Sequence, residues 1–227
     1  PVGTQFPQAV GAAMAFAYRG EDSIACTWLG EGTSAQGDFH YGLNFASVYQ
    51  APCVLVVVNN QWAISTHRNL AHGGPSFAAR GIPYNVASIR VDGQDLLAVY
   101  AAHEWATERA RAGHGPTLLE MYTYRGDSHS SSDDPSIYRP GDGYENWPLG
   151  DPVDRLKAHL MKMGEWDDER HEALEAQCKD EIIVAYKEAE KHGTLKDGPF
   201  PPVTTLFEDV YEEEPWHLLE QRGQVGI

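Results

Sequence analysis

Five consecutive aliphatic residues, Val54-Leu55-Val56-Val57-Val58, run directly into Asn59-Asn60. A strand with one wet face alternates apolar and polar residues, so an unbroken β-rich run predicts a strand covered on both faces, as in a parallel sheet between helices. The strand Cys53–Val58 is therefore expected deep in a sheet. A second β-rich run, Ile24–Trp28, precedes it, and Ser34–Gln50 between them carries Phe39, Leu43, Ala46 and Tyr49 near helical spacing. That order, strand, helix, strand, is the parallel crossover unit. The alanine-rich stretch Pro7–Tyr18 reads as an earlier helix with proline in its first turn. Ser88–Val91 and Thr117–Tyr122 read as further strands around a helix from Asp95 to Ala112, closed by Gly113 and Gly115. The predicted fold class is α/β, a mostly parallel sheet with helices on both faces.

Residues 125–150 crowd glycine, proline, serine and aspartate into one loop, too long for a mere connection and so expected to serve function or to be disordered. Beyond it, Pro152–Met163 and Glu165–His192 read as helices, the second acidic and solvated, and 199–227 as an extended tail with a short amphipathic end. The organisation expected is one α/β domain over 1–150 and a helical extension with tail over 151–227, as 227 residues are few for two full domains. Lys and Arg number 17 against 33 Asp and Glu, a formal net charge of −16. Such a field repels phosphate backbones and anionic surfaces, so neither nucleic acid nor membrane is an expected partner. Cys26, Cys53 and Cys178 are odd in number and lack C-x-x-C spacing, which argues against a disulfide framework or a cysteine zinc site and for a reducing compartment. The opening at Pro1, without methionine, is expected to be that of a fragment or a processed chain.

The densest chemical signal is Gly30-Glu31-Gly32-Thr33, after one strand and before a helix, with Asn59-Asn60 after the next strand. The 26 residues between Gly32 and Asn59 suit one helix and one returning strand, so both motifs should face one crevice at the carboxyl ends of neighbouring strands. Glycines there let backbone approach a phosphate. A carboxylate and an amide oxygen are odd ligands for bare phosphate, but they suit a magnesium ion shared with a diphosphate. A lone G-x-G with N-N is ordinarily turn glycines and asparagine caps; the strand–turn–helix context gives it weight.

This pattern resembles the diphosphate-binding motif of thiamine diphosphate enzymes, G-D-G followed by N-N, with Glu31 as the acid. The text GEGTSAQGDFHYGLNFASVYQAPCVLVVVNNQWAIS resembles the α-subunit of the decarboxylating component of 2-oxoacid dehydrogenase complexes. SIRVDGQDLLAVY, TYRGDSHSSSDDPSIYRP, DPVDRLKAHL and FEDVYEEEP resemble the branched-chain, 2-oxoisovalerate type in particular. The likeness runs from Gly3 to about Glu214 and implies the thiamine diphosphate-binding fold, here its diphosphate-binding module. It implies magnesium bound by the Glu31 and Asn60 side chains and the Trp62 carbonyl, and diphosphate contacts from Gly30, Gly32 and Thr33. Val2 would wedge between the cofactor rings. Pro1, Thr4 and Gln5 match a monovalent cation site for potassium, whose preceding serines are missing here. His129 matches a histidine beside the cofactor, suited to proton exchange near neutral pH. Arg125, Tyr138 and Arg139 match positions that order the loop, and Ser130 a serine phosphorylated in mitochondrial members. Val58 stands where many members carry an arginine for the diphosphate.

The resemblance implies oxidative decarboxylation of branched-chain 2-oxoacids such as 3-methyl-2-oxobutanoate, with the acyl group passed to lipoyl groups. The implied partners are a β-subunit, forming an α2β2 heterotetramer, and a lipoyl domain of the acyltransferase core. The alternatives are a pyruvate or acetoin dehydrogenase α-subunit and, from a different class, a non-catalytic assembly subunit. Retention of Glu31, Asn60 and His129 argues against the last.

Overall fold

The computed structural model describes residues 2–193, 197, 200–208 and 211–226. Two compact units divide the chain, Pro1–Glu165 and Trp166–Ile227. The first opens with α1 (Gln5–Arg19), β1 (Ala25–Gly30), a 3-10 turn (Gly32–Ala35), α2 (Gly37–Val48) and β2 (Cys53–Asn59). A small hairpin follows, β3 (Trp62–Ala63) and β4 (Thr66–His67), then α3 (Arg68–Ala71) and a 3-10 segment (Ala78–Tyr84). β5 (Ala87–Asp92), α4 (Leu96–Arg111), β6 (Thr117–Tyr122), a 3-10 turn (Pro135–Ile137) and α5 (Pro152–Lys162) complete it.

The four long strands form one parallel sheet in the order β1-β2-β6-β5. The aliphatic run accordingly lies in an inner strand, and Val54, Leu55, Val56 and Val57 have no exposed surface. Leu55 and Val57 face a cluster with Phe6 and Val10 of α1 and Phe39 and Leu43 of α2. Val54 and Val56 face the opposite side, with Ala106 of α4 and Leu119 and Met121 of β6. Helices thus cover both faces, which is why no polar alternation appears in β2. The outer strand β1 does alternate, with Ala25, Thr27 and Leu29 buried and Cys26 and Trp28 exposed.

Local chemistry sets the helix limits. Gly20 takes a left-handed φ of 67° and ends α1, with the Glu21 N–H returning to the Phe16 carbonyl at 3.0 Å. Asp95 accepts the N–H groups of Leu97 and Ala98 at the start of α4, and Asp151 does the same for Val153 and Asp154 ahead of α5. Arg155 of α5 pairs with Asp92 at 2.8 Å and Asp95 at 3.1 Å, so this helix belongs to the first unit. The helix expected over 34–50 is interrupted: Gln36 is extended, with ψ 149°, and separates the 3-10 turn from α2. The segment 125–150 is organised by turns and hydrogen bonds.

In the second unit, α6 (Asp168–Glu190) begins at Asp167, which accepts the Arg170 N–H, and buries none of its residues. The stretch 199–227, expected as an extended tail with a short amphipathic end, holds a 3-10 turn (Val203–Phe207) within the part expected to be extended and α7 (Trp216–Gln224) at its end; Pro199, Asp209, Val210 and Ile227 lie outside the described residues. No helix among the described residues is long and apolar enough to cross a membrane.

The two-faced burial of β2 makes Leu55→Ala costly, by about 2–5 kcal/mol, through lost transfer energy and the cavity left behind. Tyr18→Ala, at a position 93% exposed, should fall within about 0.5 kcal/mol of the parent. Urea midpoints at constant m-value measure both, and equal midpoints for the two variants would contradict this core.

Candidate functional site

The sheet register brings the two motifs together. Gly30 pairs with Val58 and Asn59 with Tyr122, so β1, β2 and β6 end side by side and the chain leaves them as Glu31, Asn60 and Thr123. A cavity of about 400 Å³ opens at this edge. Gly30, Glu31, Gly32 and Thr33 line it from the end of β1 and the turn after it, Asn60 and Trp62 from the bend between β2 and β3 and the start of β3, and Val2 and His129 from two other segments.

Glu31 is only 3% exposed. Its Oε2 accepts the Asn60 backbone N–H at 3.3 Å, whereas Oε1 is buried without a hydrogen-bond partner. Burial pushes the Glu31 carboxyl pKa up; hydrogen bonds from the Glu31 and Asn60 N–H groups and the charge of Arg125 oppose the rise, and the charge of Glu120 adds to it. A carboxylate that lines a cavity and keeps one oxygen unpartnered has acceptor capacity to spare for a cation.

Across the cavity, Asn60 Oδ1 accepts the Trp62 N–H at 3.0 Å, which folds the turn back on itself. Gln61 and Ile64 adopt left-handed φ values of 76° and 52°, rare for residues with a Cβ. Arg125 holds this bend from outside: its Nη2 donates to the Ile64 carbonyl at 2.9 Å, its Nη1 to the Trp62 carbonyl at 3.4 Å, and its backbone N–H to the Asn60 carbonyl at 3.1 Å. The Trp62 ring packs against His67, edge to face, and against Tyr138, with centroids 4.8 and 5.6 Å away. A Cβ on Gly32 would stand 2.4 Å from the Ala63 Cβ, so the hairpin and the glycine turn fit only because position 32 lacks a side chain.

His129 is exposed on the long loop. Its backbone N–H donates to Asp133 Oδ2 at 2.8 Å, and the Tyr138 hydroxyl donates to the same oxygen at 2.6 Å. Those two bonds, the Tyr138 one foremost, hold the Asp133 carboxyl below the usual carboxylate range. Arg139 donates to the carbonyls of Arg125 and Gly126, closing the loop base. Ser130 is exposed, with its hydroxyl 3.3 Å from that of Ser132.

Thr4 precedes α1, Gln5 donates its side-chain N–H to the Trp28 carbonyl at 3.0 Å, and Pro1 lies outside the described residues. Sequence reasoning assigns no role to three further polar residues, the buried Gln61 and Glu120 and the half-buried Arg80, and assigns Asn59 nothing beyond its place in the motif. Glu120 carries a visible signal, a carboxylate inside the apolar strand Leu118-Leu119-Glu120-Met121. The partners of Arg80, Ser34 and His72, are set by tertiary folding alone.

Among the described residues no group of three or more His, Cys, Asp or Glu could hold a metal. A cation here would rest on one carboxylate with amide and carbonyl oxygens, an all-oxygen set of the kind magnesium prefers when phosphate completes its shell. Fold and site together define an α/β cofactor-binding module with its ligand crevice at the carboxyl ends of parallel strands. The chain belongs to the dehydrogenase E1 component family, whose model matches residues 1–197. It is 55% identical to the 2-oxoisovalerate dehydrogenase subunit alpha of Pseudomonas aeruginosa, over 99% of this chain and 55% of that protein. It is 41% identical to the 3-methyl-2-oxobutanoate dehydrogenase subunit alpha of Mycobacterium tuberculosis, over 99% of this chain and 60% of the relative. It is also 41% identical to the pyruvate dehydrogenase E1 component subunit alpha of Staphylococcus aureus, over 97% of this chain and 58% of the relative. The chain thus spans little more than half the length of these relatives. Membership of this family implies thiamine diphosphate as cofactor.

Two outcomes follow from this geometry. Gly32→Ala should destabilise the chain by about 1–3 kcal/mol through overpacking, and Ala63→Gly in the same chain should recover most of that loss; no recovery in thermal melts would mean the contact is not the cause. Because the raised Glu31 pKa means that the folded state holds this proton more tightly than the unfolded one, stability falls as pH rises from the ordinary carboxylate range through the raised value. Glu31→Gln removes that fall, so the variant should gain on the parent as pH rises through this window in urea unfolding series. A difference independent of pH would count against it.

Proposed function

We propose that this chain is the diphosphate- and metal-binding part of the α-subunit of a branched-chain 2-oxoacid dehydrogenase, of the 3-methyl-2-oxobutanoate type. The observation that carries the reading is that Glu31, buried and with its Oε1 unpartnered, lines the same cavity as Asn60 at the ends of adjacent strands. The choice of substrate class is supported by the 55% identity to the Pseudomonas aeruginosa 2-oxoisovalerate protein. The 41% matches to the mycobacterial and staphylococcal relatives do not separate branched-chain substrates from pyruvate.

Thiamine diphosphate, when bound, supplies the nucleophilic carbon and the electron sink that decarboxylation of a 2-oxoacid needs. The chain's own residues hold and orient. Glu31, Asn60 and the Trp62 carbonyl would bind magnesium, and Gly30, Gly32 and Thr33 offer backbone close to the diphosphate. The raised pKa of Glu31 has a consequence here: a divalent cation requires the ionised carboxylate, so cation uptake expels any proton held there and strengthens as pH rises. Val2, 59% exposed and lining the cavity, is an apolar residue available to the cofactor rings. His129 faces solvent beside the cavity and can exchange protons with a bound substrate, while its loop, tied at the base by Arg125 and Arg139, can cover the opening. A β-subunit completing an α2β2 heterotetramer would supply the rest of the cofactor pocket, and the lipoyl domain of an acyltransferase would receive the acyl group.

Calorimetric titration of thiamine diphosphate with magnesium into the α–β assembly tests the reading. Glu31→Ala should weaken binding by at least about tenfold, as loss of a metal ligand does. Unchanged affinity would remove the role assigned to Glu31. Turnover by the reconstituted assembly should favour 3-methyl-2-oxobutanoate over pyruvate, and the reverse preference would move the protein to the pyruvate class.

A further inference from the structure

Glu120 has no exposed surface, and nothing proposed above gives it a task. A carboxylate is costly to bury unless donors satisfy it, and here they do. Oε1 accepts Asn59 Nδ2 at 2.7 Å, Oε2 accepts the Ala78 N–H at 2.9 Å, and Arg90 Nε stands 3.9 Å from Oε1. The two bonds lead in different directions, and each ends at one wall of the cavity.

The first runs through Asn59. Donating to Glu120 fixes which way the Asn59 amide points, so its Oδ1 faces Gln61 and accepts the backbone N–H at 3.2 Å and Nε2 at 3.0 Å. Gln61 Nε2 also donates to the carbonyls of Asn59 and Thr123, each at 3.1 Å. These bonds hold Gln61 in its left-handed conformation, φ 76°, and so set the bend that carries Asn60 and the Trp62 carbonyl. The second runs through Ala78, the first residue of the 3-10 segment that carries Arg80. Arg80 Nη1 donates to the Ser34 carbonyl and, at 2.8 Å, to Ser34 Oγ, while Ser34 Oγ donates to the Glu31 carbonyl at 2.5 Å. That chain supports the turn bearing Glu31, Gly32 and Thr33.

We infer that Glu120 is a positioning residue: one buried carboxylate anchors both the 31–34 turn and the 59–62 bend, and so sets their spacing across the cavity. The geometry stands by itself; its consequence for cofactor binding rests on the reading under Proposed function. Glu120→Gln keeps the shape but turns one acceptor into a donor facing a donor. Adding Asn59→Asp reverses that link: the new amide at position 120 donates to the new carboxylate at 59, which still accepts from Gln61, and the remaining oxygen at 120 accepts from Ala78.

Hydrogen exchange on this chain and its variants reads the geometry directly. Glu120→Gln should speed exchange at the amides of Gln61 and Trp62 and of Ser34 and Gln36 by at least about tenfold, with the Leu55 and Val57 amides unchanged; the double variant should restore protection. Equal acceleration through the sheet, or none at the two turns, overturns the inference, because a purely structural carboxylate would loosen the strands around it. In the α–β assembly, calorimetry should show affinity for thiamine diphosphate with magnesium falling about tenfold in Glu120→Gln and returning in the double variant. If the parent assembly binds no cofactor while the exchange pattern holds, the cofactor reading fails and the positioning role stands. If the parent binds and Glu120→Gln binds as tightly, the positioning role fails.

Discussion

The register of β2 between β1 and β6 is the constraint on which the rest depends. A one-residue slip would exchange Leu55 and Val57 with Val54 and Val56 between two differently packed clusters, and would turn the buried residues of β1 outward, so packing on both sides holds the three strands in phase. Their ends are then flush, and whatever follows each strand is delivered to one edge. Glu31 and Asn60 lie 29 residues apart in the chain yet share a hydrogen bond because the hydrophobic core, and not any local preference, determines where both strands stop. The polar site is thus a product of apolar packing several ångströms beneath it.

Above that edge, polar interactions take over. The bend after β2 uses two residues in left-handed conformations, Gln61 and Ile64, each of which costs about 1 kcal/mol or more for a residue with a Cβ. Hydrogen bonds donated by Arg125 to the Trp62 and Ile64 carbonyls, and by Gln61 to Asn59 and Thr123, surround the bend and compensate for that strain. The same arrangement keeps Glu31 Oε1 without a partner, so the fold stores an unsatisfied acceptor where a cation would relieve it. Stability and binding readiness oppose each other at this one oxygen, a common trade at functional sites.

Much of this was legible in the sequence, and the boundary of legibility has a physical cause. β2, β6 and α4 follow from runs and periodicities that span a few residues, and the meeting of Glu31 with Asn60 follows from crossover topology once those strands are placed. The break at Gln36 was hidden because the apolar spacing of Phe39 and Leu43 continues smoothly into it. The stretch between Asn60 and Val86 carried no readable pattern, since its shape is determined by bonds such as Arg80 to Ser34, 46 residues away, and Ala78 to Glu120, 42 residues away. Glu120 itself stood out as a charge in an apolar strand, but its partners could not be read until the bend at 59–61 was in view.

The close approach of Gly32 to Ala63 reaches beyond folding. The methyl group of Ala63 already fills the space that a side chain at position 32 would need, so position 32 can gain a carbon only if position 63 loses one. A designer who wished to reshape this crevice would have to rewrite both halves in the same step.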